Sequence, residues 1–104
     1  MPYTYKKKPF YVDSTTVTLT TEFQVINFGI GAKVIIVQNE SESGVLYWSF
    51  DGEDVAGKIT PGGGANLDNL EDIFESTTGV PNYPPFIYLK KGEDDAGTFN
   101  LSAW

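Results

Sequence analysis

Apolar and polar residues alternate along most of the chain, so that every second side chain in a stretch is apolar. This period of two is typical of β-strands that are buried on one face. The predicted strands are residues 15–20, 22–28, 33–38, 44–50, 56–60, 85–91 and 98–104. Seven or eight short strands separated by turn residues predict an all-β chain. We expect a single small antiparallel β-sandwich, immunoglobulin-like or jelly-roll-like.

The alternation also predicts which side chains point into the core. The predicted inward-facing residues are Val17, Leu19, Phe23, Val25, Leu46, Trp48, Phe50, Phe99, Leu101 and Ala103. Residues 33–38 are a nearly continuous β-branched run, typical of a strand at the centre of a sheet or covered on both faces. Asp51 and Gly52 predict a type I′ hairpin turn, which needs positive φ at both central residues. The last strand ends with Trp104, so we expect the carboxyl end to belong to a sheet.

One segment has the spacing of a helix rather than of a strand. Residues 65–76 place apolar side chains three or four residues apart, which predicts one short helix. These side chains are Leu67, Leu70, Ile73 and Phe74. Asp68 and Glu71 have the spacing of a capping box, but so short a helix depends on tertiary packing, and an acidic loop is the alternative. Residues 77–85 contain three prolines and are predicted to form an extended loop.

Composition removes several classes of chemistry. The 104-residue chain has no Cys, His or Arg, which excludes thiolate or imidazole metal ligands, disulfides and a Ser-His-Asp triad. Its length suits one domain. The net charge of −7 argues against nucleic acid as a partner, because phosphate binding needs clustered cations. No apolar run approaches about 20 residues and no signal-peptide core is present, so we expect no membrane association and synthesis in a cytoplasm.

Carboxylates are the remaining candidates for catalysis or metal binding. Asp51, Glu53 and Asp54 follow the Trp48 strand, and further acids lie in residues 65–76. A carboxylate pair for glycoside hydrolysis needs an apolar pocket around one acid, and no neighbouring sequence supplies one. Asp51 to Asp54 also lack the ligand spacing of an EF-hand. We therefore expect exposed turn acids, no catalytic residue, no metal or cofactor, and a protein that is not an enzyme.

The charge is uneven, and its basic part coincides with an aromatic N-terminal arm. Residues 1–39 hold four lysines against two acids, whereas residues 40–104 hold three lysines against twelve acids. We assign residues 1–12 to the arm and residues 13–104 to the β-sandwich domain. The predicted interface residues are Tyr3, Tyr5, Lys6, Lys7, Lys8, Phe10 and Tyr11. Tyrosine is enriched at protein interfaces, so the arm is expected to bind a partner; alternatively, it packs on its own domain as an edge strand.

Two other features suggest different functions. Tyr47, Tyr83 and Tyr88 are candidates for a sugar-stacking platform, as in a carbohydrate-binding β-sandwich module. Asn39, Glu40 and Ser41 match the N-glycosylation acceptor sequence, which has little meaning without a secretory signal.

Several short segments together resemble a small β-sandwich protein that recurs in the virions of tailed bacteriophages. The segments are residues 34–39, 46–52, 57–62, 86–90 and 101–104, with sequences VIIVQN, LYWSFDG, GKITPG, FIYLK and LSAW. The resemblance implies a virion structural protein, most simply one that decorates or cements the capsid, with a tail or fibre component as the alternative. It implies viral capsid or tail proteins as partners and a homo-oligomer, of which a trimer would suit a symmetric lattice.

Overall fold

The computed structural model describes residues 9–29, 31–68, 70 and 83–104. Within these ranges the chain forms eight strands in two four-stranded antiparallel sheets and no helix. The strands are β1 Phe10–Asp13, β2 Gln24–Asn27, β3 Ile35–Asn39, β4 Leu46–Ser49, β5 Gly57–Ile59, β6 Gly64–Leu67, β7 Phe86–Lys91 and β8 Phe99–Ala103. The all-β class and the small antiparallel sandwich predicted from the sequence are confirmed.

Each sheet is assembled from strands distant in sequence. The first sheet has the order β1-β8-β3-β6, and the second has the order β2-β7-β4-β5. The pairing Val37↔Leu101 sets the register at the centre of the first sheet, and Trp48↔Leu89 does so in the second. β3 lies between two strands, as its β-branched run predicts, but Gln38 is exposed, so β3 is covered on one face only.

A single hydrophobic core joins the two sheets. Fully buried side chains come from both: Ile35, Val37, Phe99 and Leu101 from the first sheet, and Leu46, Ile87 and Leu89 from the second. Burial of each contributes roughly 1.5–3 kcal/mol. The inward orientations predicted for β8 and for Leu46 are confirmed, and Trp48 and Phe50 pack on this core while partly exposed.

The strand predicted over residues 15–20 is wrong. β1 ends at Asp13, and a turn follows in place of the predicted strand. The Asp13 carbonyl accepts the backbone N–H groups of Thr16 and Val17, and its carboxylate accepts that of Thr15. The chain turns here and crosses from the first sheet to the second. Leu19 nevertheless reaches the core, and Val17 packs against it, so their inward orientation was predicted correctly.

In β2 the predicted faces are reversed. Val25, expected inside, is 54% exposed, whereas Ile26 and Phe28 are buried. The adjacent pair Val25 and Ile26 breaks the alternation, so the sequence fits two registers equally well. A shift of one residue exchanges the two faces of a strand, and the observed pairing Val25↔Tyr88 selects the register that the sequence left open.

The predicted helix at 65–76 is wrong in its first turn. Residues up to Leu67 form β6, which pairs with β3 through Ile35↔Leu67 and Val37↔Ala65. Pairing with a buried strand therefore prevails over the local helical spacing. Leu70 is fully buried, whereas the rest of this prediction, and most of the loop predicted at 77–85, lie outside the described residues.

The turn after β4 is longer than a type I′ hairpin. β4 and β5 do pair, with Leu46 opposite Ile59, but seven residues connect them. Gly52 has a φ of +76°, while among the described residues no residue other than glycine has positive φ, which excludes type I′ geometry at Asp51.

Candidate functional site

The described part of the predicted arm is an edge strand. Tyr3, Tyr5, Lys6, Lys7 and Lys8 lie outside the described residues, but Phe10 and Tyr11 belong to β1, which pairs with β8. The two side chains point to opposite faces: Phe10 lies against the core with its ring 5.4 Å from that of Phe28, and Tyr11 is 60% exposed. Phe10 and Tyr11, which lie inside the range assigned to the arm, thus belong to the first sheet, and the edge-strand alternative describes this portion.

Tyr11 is held in place by Asp13 on the same face of β1. The Tyr11 hydroxyl donates a hydrogen bond to Asp13 Oδ2 at 3.0 Å. This hydrogen bond raises the pKa of Tyr11 above its ordinary value. The Thr15 hydroxyl and backbone N–H, both donating to Asp13, lower the pKa of the Asp13 carboxyl. The exposed ring is therefore oriented before any partner binds.

Tyr11 lies on a surface that carries little charge. We call this surface, the outer side of the first sheet, the first-sheet face. Alternation along the four strands places on it Tyr11, Asp13, Ile36, Gln38, Asn66, Asn100 and Ser102. Only Asp13 in this set is charged, and Asn100 donates to Gln38 at 3.1 Å. Aromatic residues with few charges are typical of the central part of protein interfaces.

Trp104 extends this face. Its backbone N–H donates to the Val34 carbonyl at 3.1 Å, and its own carbonyl accepts from Lys33 and Val34. The carboxyl end thus belongs to the sheet, as predicted. Continued alternation from Ser102 puts the Trp104 side chain, which is 41% exposed, on the same face as Tyr11.

The outer side of the second sheet, the second-sheet face, has a different chemistry. One row crosses its strands: Lys58 is opposite Tyr47, and Tyr47 is opposite Lys90. The Lys90 ammonium lies 5.6 Å from the centre of the Tyr47 ring and 4.6 Å from that of Phe23. Ammonium groups are attracted to aromatic faces at such distances. We call Lys58, Tyr47, Lys90 and Phe23 the cationic row.

An acidic loop lies beside the cationic row. Residues 50–56, the acidic loop, fold back over this face: the backbone of Gly52 packs on the Tyr88 ring, and Val55 lines an open cleft of about 420 Å³ with Tyr47 and Lys90. Ser49 accepts the N–H of Gly52, and Asp51 accepts those of Glu53 and Asp54, all at 2.9–3.1 Å.

These hydrogen bonds also fix the charge of the loop. The Glu53 backbone N–H, followed by the Ser49 hydroxyl and the Asp54 N–H, lowers the pKa of the Asp51 carboxyl. Hydrogen bonds that favour the ionised form keep a carboxyl charged at lower pH. The loop therefore presents its negative charge in a fixed shape.

The three tyrosines of the predicted sugar platform are not together. Tyr47 and Tyr88 share the second-sheet face, but Lys90 lies over one ring and Gly52 over the other. Tyr83 precedes β7 at its opposite end and contacts Gly31. Sugar stacking needs open ring faces, and these contacts occupy one side of the Tyr47 ring and one side of the Tyr88 ring.

Sequence reasoning missed a buried polar cluster. Asn39, Ser41 and Asp95 are at most 6% exposed. The Asn39 amide donates to the Ile59 carbonyl at 3.0 Å and accepts the Ser41 N–H at 3.0 Å. The glycosylation-like triplet therefore serves as a structural turn with its amide buried. The triplet Asn39-Glu40-Ser41 can be recognised in the sequence, but its hydrogen-bond partners Ile59 and Asp95 are distant in sequence.

The described carboxylates form no metal-type cluster: within ranges 9–29, 31–68 and 83–104, no three Asp or Glu side chains converge as ligands would. No helix in the described part is long and apolar enough to span a membrane. Comparison with known proteins found no match to a family model, a curated protein or a solved structure.

Proposed function

We propose that this chain is a non-enzymatic structural protein of a tailed-bacteriophage virion, a homo-oligomer that decorates the capsid and binds the shell through its N-terminal arm and the first-sheet face. The observation that carries the proposal is the exposure of Tyr11 and Trp104, 60% and 41%, on a sheet face whose strands contribute a single charged side chain, Asp13. Large aromatic side chains in such a setting are the usual anchors of protein contacts.

The size of the face explains why the arm is needed. Four strands about 4.8 Å apart, each with four or five residues rising about 3.3 Å, give a face of roughly 300 Å². A stable contact usually covers about 800 Å² on each partner. Eight residues before Pro9 span up to roughly 28 Å when extended. With three lysines and two tyrosines, the arm could extend the contact beyond the sheet edge.

The distribution of charge also supports shell binding through the arm and the first-sheet face. The exposed acids of the described residues lie mainly in the loops. Asp13 is the one charged residue within the strands of the first sheet, and Glu40, just after β3, is close enough to Tyr11 to contribute to its raised pKa. The three consecutive lysines of the arm would then steer the chain to an acidic part of the shell, because charge complementarity mainly raises the association rate. Tyr11 and Trp104 would supply the affinity.

Co-sedimentation with undecorated shells from the same source tests the proposal. The variants are wild type, a deletion of residues 2–8, Tyr11→Ala, and Thr18→Ala as a control with an exposed side chain between β1 and β2, in neither sheet. The deletion stops at residue 8 because Phe10 is part of the core packing. We expect wild type and Thr18→Ala to bind alike, and the other two to bind about tenfold more weakly or worse.

Two results would refute the proposal in different ways. Equal binding by all four proteins would remove the arm and Tyr11 from the contact while leaving decoration intact. Binding of wild type to isolated tails, but not to shells, would exclude capsid decoration and support the tail alternative.

A further inference from the structure

The second-sheet face carries two opposite charges side by side. The acidic loop contributes Asp51, Glu53 and Asp54, all exposed. The cationic row contributes Lys58 on β5 and Lys90 on β7, on either side of Tyr47 in β4. Lys91 and Glu93, which carry opposite charges, also line the cleft beside Lys90. Val55 joins the two halves, because it belongs to the acidic loop and lines the cleft that holds Lys90. One face therefore has a negative half and a positive half side by side.

The partner of the Lys90 ammonium within the described chain is aromatic. Its nearest ring centres are those of Phe23 and Tyr47, and these rings satisfy none of its three N–H donors by ordinary hydrogen bonds. A carboxylate brought to the open cleft would accept those donors. Charge-assisted hydrogen bonds of this kind are about twice as strong as neutral ones.

Exposed apolar side chains lie on the same face. Val25 is 54% exposed on β2, where it pairs with Tyr88, and Val55 is 48% exposed in the acidic loop. Contact with a second surface would remove both from water. Val25 lies on the edge strand β2, and Val55 lies beside Tyr47 and Lys90 of the central strands β4 and β7.

We propose that the second-sheet face is a two-fold interface between two copies of this chain, in which the acidic loop of each copy lies over the cationic row of the other. A two-fold axis brings the same patch of both molecules together, so residue i meets j and j meets i. Such an axis through Val55 and Tyr47 superimposes each negative half on a positive half.

Charge selects a second copy over other occupants. An acidic partner would suit Lys58 and Lys90 but would be repelled by Asp51, Glu53 and Asp54, and a basic partner would meet the opposite problem. Only a surface that carries both charges in the inverse arrangement suits both halves, and the same face rotated by 180° has that arrangement. A chain with a net charge of −7 otherwise repels its copies.

The area sets the expected strength. The second sheet is as small as the first, roughly 300 Å² before the loop is added. An interface of this size falls in the weak, transient class. We therefore expect a monomer–dimer equilibrium that is visible at high protein concentration and weakened by salt, because the charged contacts are partly exposed.

Sedimentation equilibrium of the full chain tests this interface, with Lys90→Glu, Asp54→Lys and the double variant that carries both changes. Each single change places like charges opposite each other twice in the dimer and should raise the dissociation constant about tenfold or more. The double variant restores opposite charges at both contacts and should dimerise nearly as wild type does. An equimolar mixture of the two single variants should form a mixed dimer for the same reason.

Two controls match the changes in net charge. Lys33→Glu alters a lysine whose ammonium lies 5.8 Å from the Tyr83 ring, away from this face, and Glu40→Lys alters an exposed acid that follows β3. Both should dimerise like wild type. Near-ultraviolet circular dichroism verifies that every variant is folded.

Four outcomes would overturn the interface. These are a wild-type chain that stays monomeric at low salt, a Lys90→Glu variant that behaves as Lys33→Glu does, a double variant no better than the single ones, or oligomers that grow beyond the dimer. The test uses the isolated protein, so its failure would leave the proposed shell contact standing, and failure of shell binding would leave the dimer standing.

Discussion

Ser41 donates its hydroxyl hydrogen bond to Asp95, although 54 residues separate them, and both side chains are buried. Ser41 follows β3 of the first sheet, and Asp95 lies between β7 of the second sheet and β8 of the first. Asp95 also accepts the Gly97 N–H at 2.7 Å, and Ser41 accepts that of Thr98 at 3.2 Å. The pair thus fastens the two sheets together at one end of the sandwich.

Removal of this carboxylate should destabilise the fold. Asp95→Ala leaves the Ser41 hydroxyl and the Gly97 N–H buried without their acceptor, and an unsatisfied buried group costs about 1–3 kcal/mol. We expect the free energy of unfolding, measured by urea denaturation, to fall by about 2–4 kcal/mol. The control is Asp94→Ala, an exposed neighbour, which should change it by less than about 0.5 kcal/mol. Equal effects at the two positions would contradict a structural role for the pair.

A glycine packed against the same aspartate gives a second test. Gly44 has a φ of +88°, and a Cβ there would lie 2.5 Å from the Asp95 Cα. Gly62 has a similar φ of +73°, with no atom within 4 Å of its Cβ position. Gly62→Ala should cost only the backbone strain, about 1–2 kcal/mol. Gly44→Ala should cost clearly more, because backbone atoms of Asp95 must move.

Thermal and urea unfolding of both glycine variants give the comparison. Both glycines have positive φ, so the backbone strain cancels when the losses in unfolding free energy of the two variants are subtracted. The remaining difference measures the steric contact with Asp95. A Gly44→Ala variant as stable as Gly62→Ala would show that the loop after β3 does not press on Asp95 as described.

Asp51 should remain ionised to unusually low pH. Backbone N–H groups of Glu53 and Asp54 and the Ser49 hydroxyl lower its pKa in the folded chain. Its ionised form therefore favours the folded state above the unfolded pKa of about 3.9, and this contribution disappears as the pH falls through the lower folded value. Carboxyl ¹³C titration by NMR measures the Asp51 pKa in the folded chain and, as reference, in the urea-unfolded chain.

The origin of the shift can be separated from general charge effects. Hydrogen bonds cause it, so the lowered pKa should persist in about 1 M salt, where the screening length is about 3 Å. In Asp51→Asn, the free energy of unfolding should fall less steeply than in wild type as the pH is lowered below about 4. An Asp51 carboxyl that titrates alike in the folded and unfolded chains would mean that the acidic loop lacks its fixed shape.

The sequence predicted the sheets better than it predicted the connections. Strands with clean alternation, such as Phe99–Ala103, were placed correctly because one periodic pattern fixes both the element and its buried face. The pattern failed where two apolar residues adjoin, as Val25 and Ile26 do, since either can then face inward. The helix predicted around Leu67 failed for another reason. Helical spacing is a local property of the sequence, whereas Leu67 pairs with Ile35, which is distant in sequence.

Neither the first-sheet face nor the cationic row could be identified from spacing alone. Lys58, Tyr47 and Lys90 become neighbours only through the registers of three strands. Tyr11 and Trp104 lie at opposite ends of the chain and share a face because β1 pairs with β8. The sequence indicated that Tyr11 is an interface residue but not which surface it joins.

Hydrogen–deuterium exchange of the shell-bound chain against the free chain tests the shell contact most directly. It reports on every amide of the arm and of β1 without a substitution. We expect added protection in residues 2–13 and around Trp104 on binding to shells. Bound protein whose residues 2–13 exchange as fast as in the free chain would contradict the proposed contact.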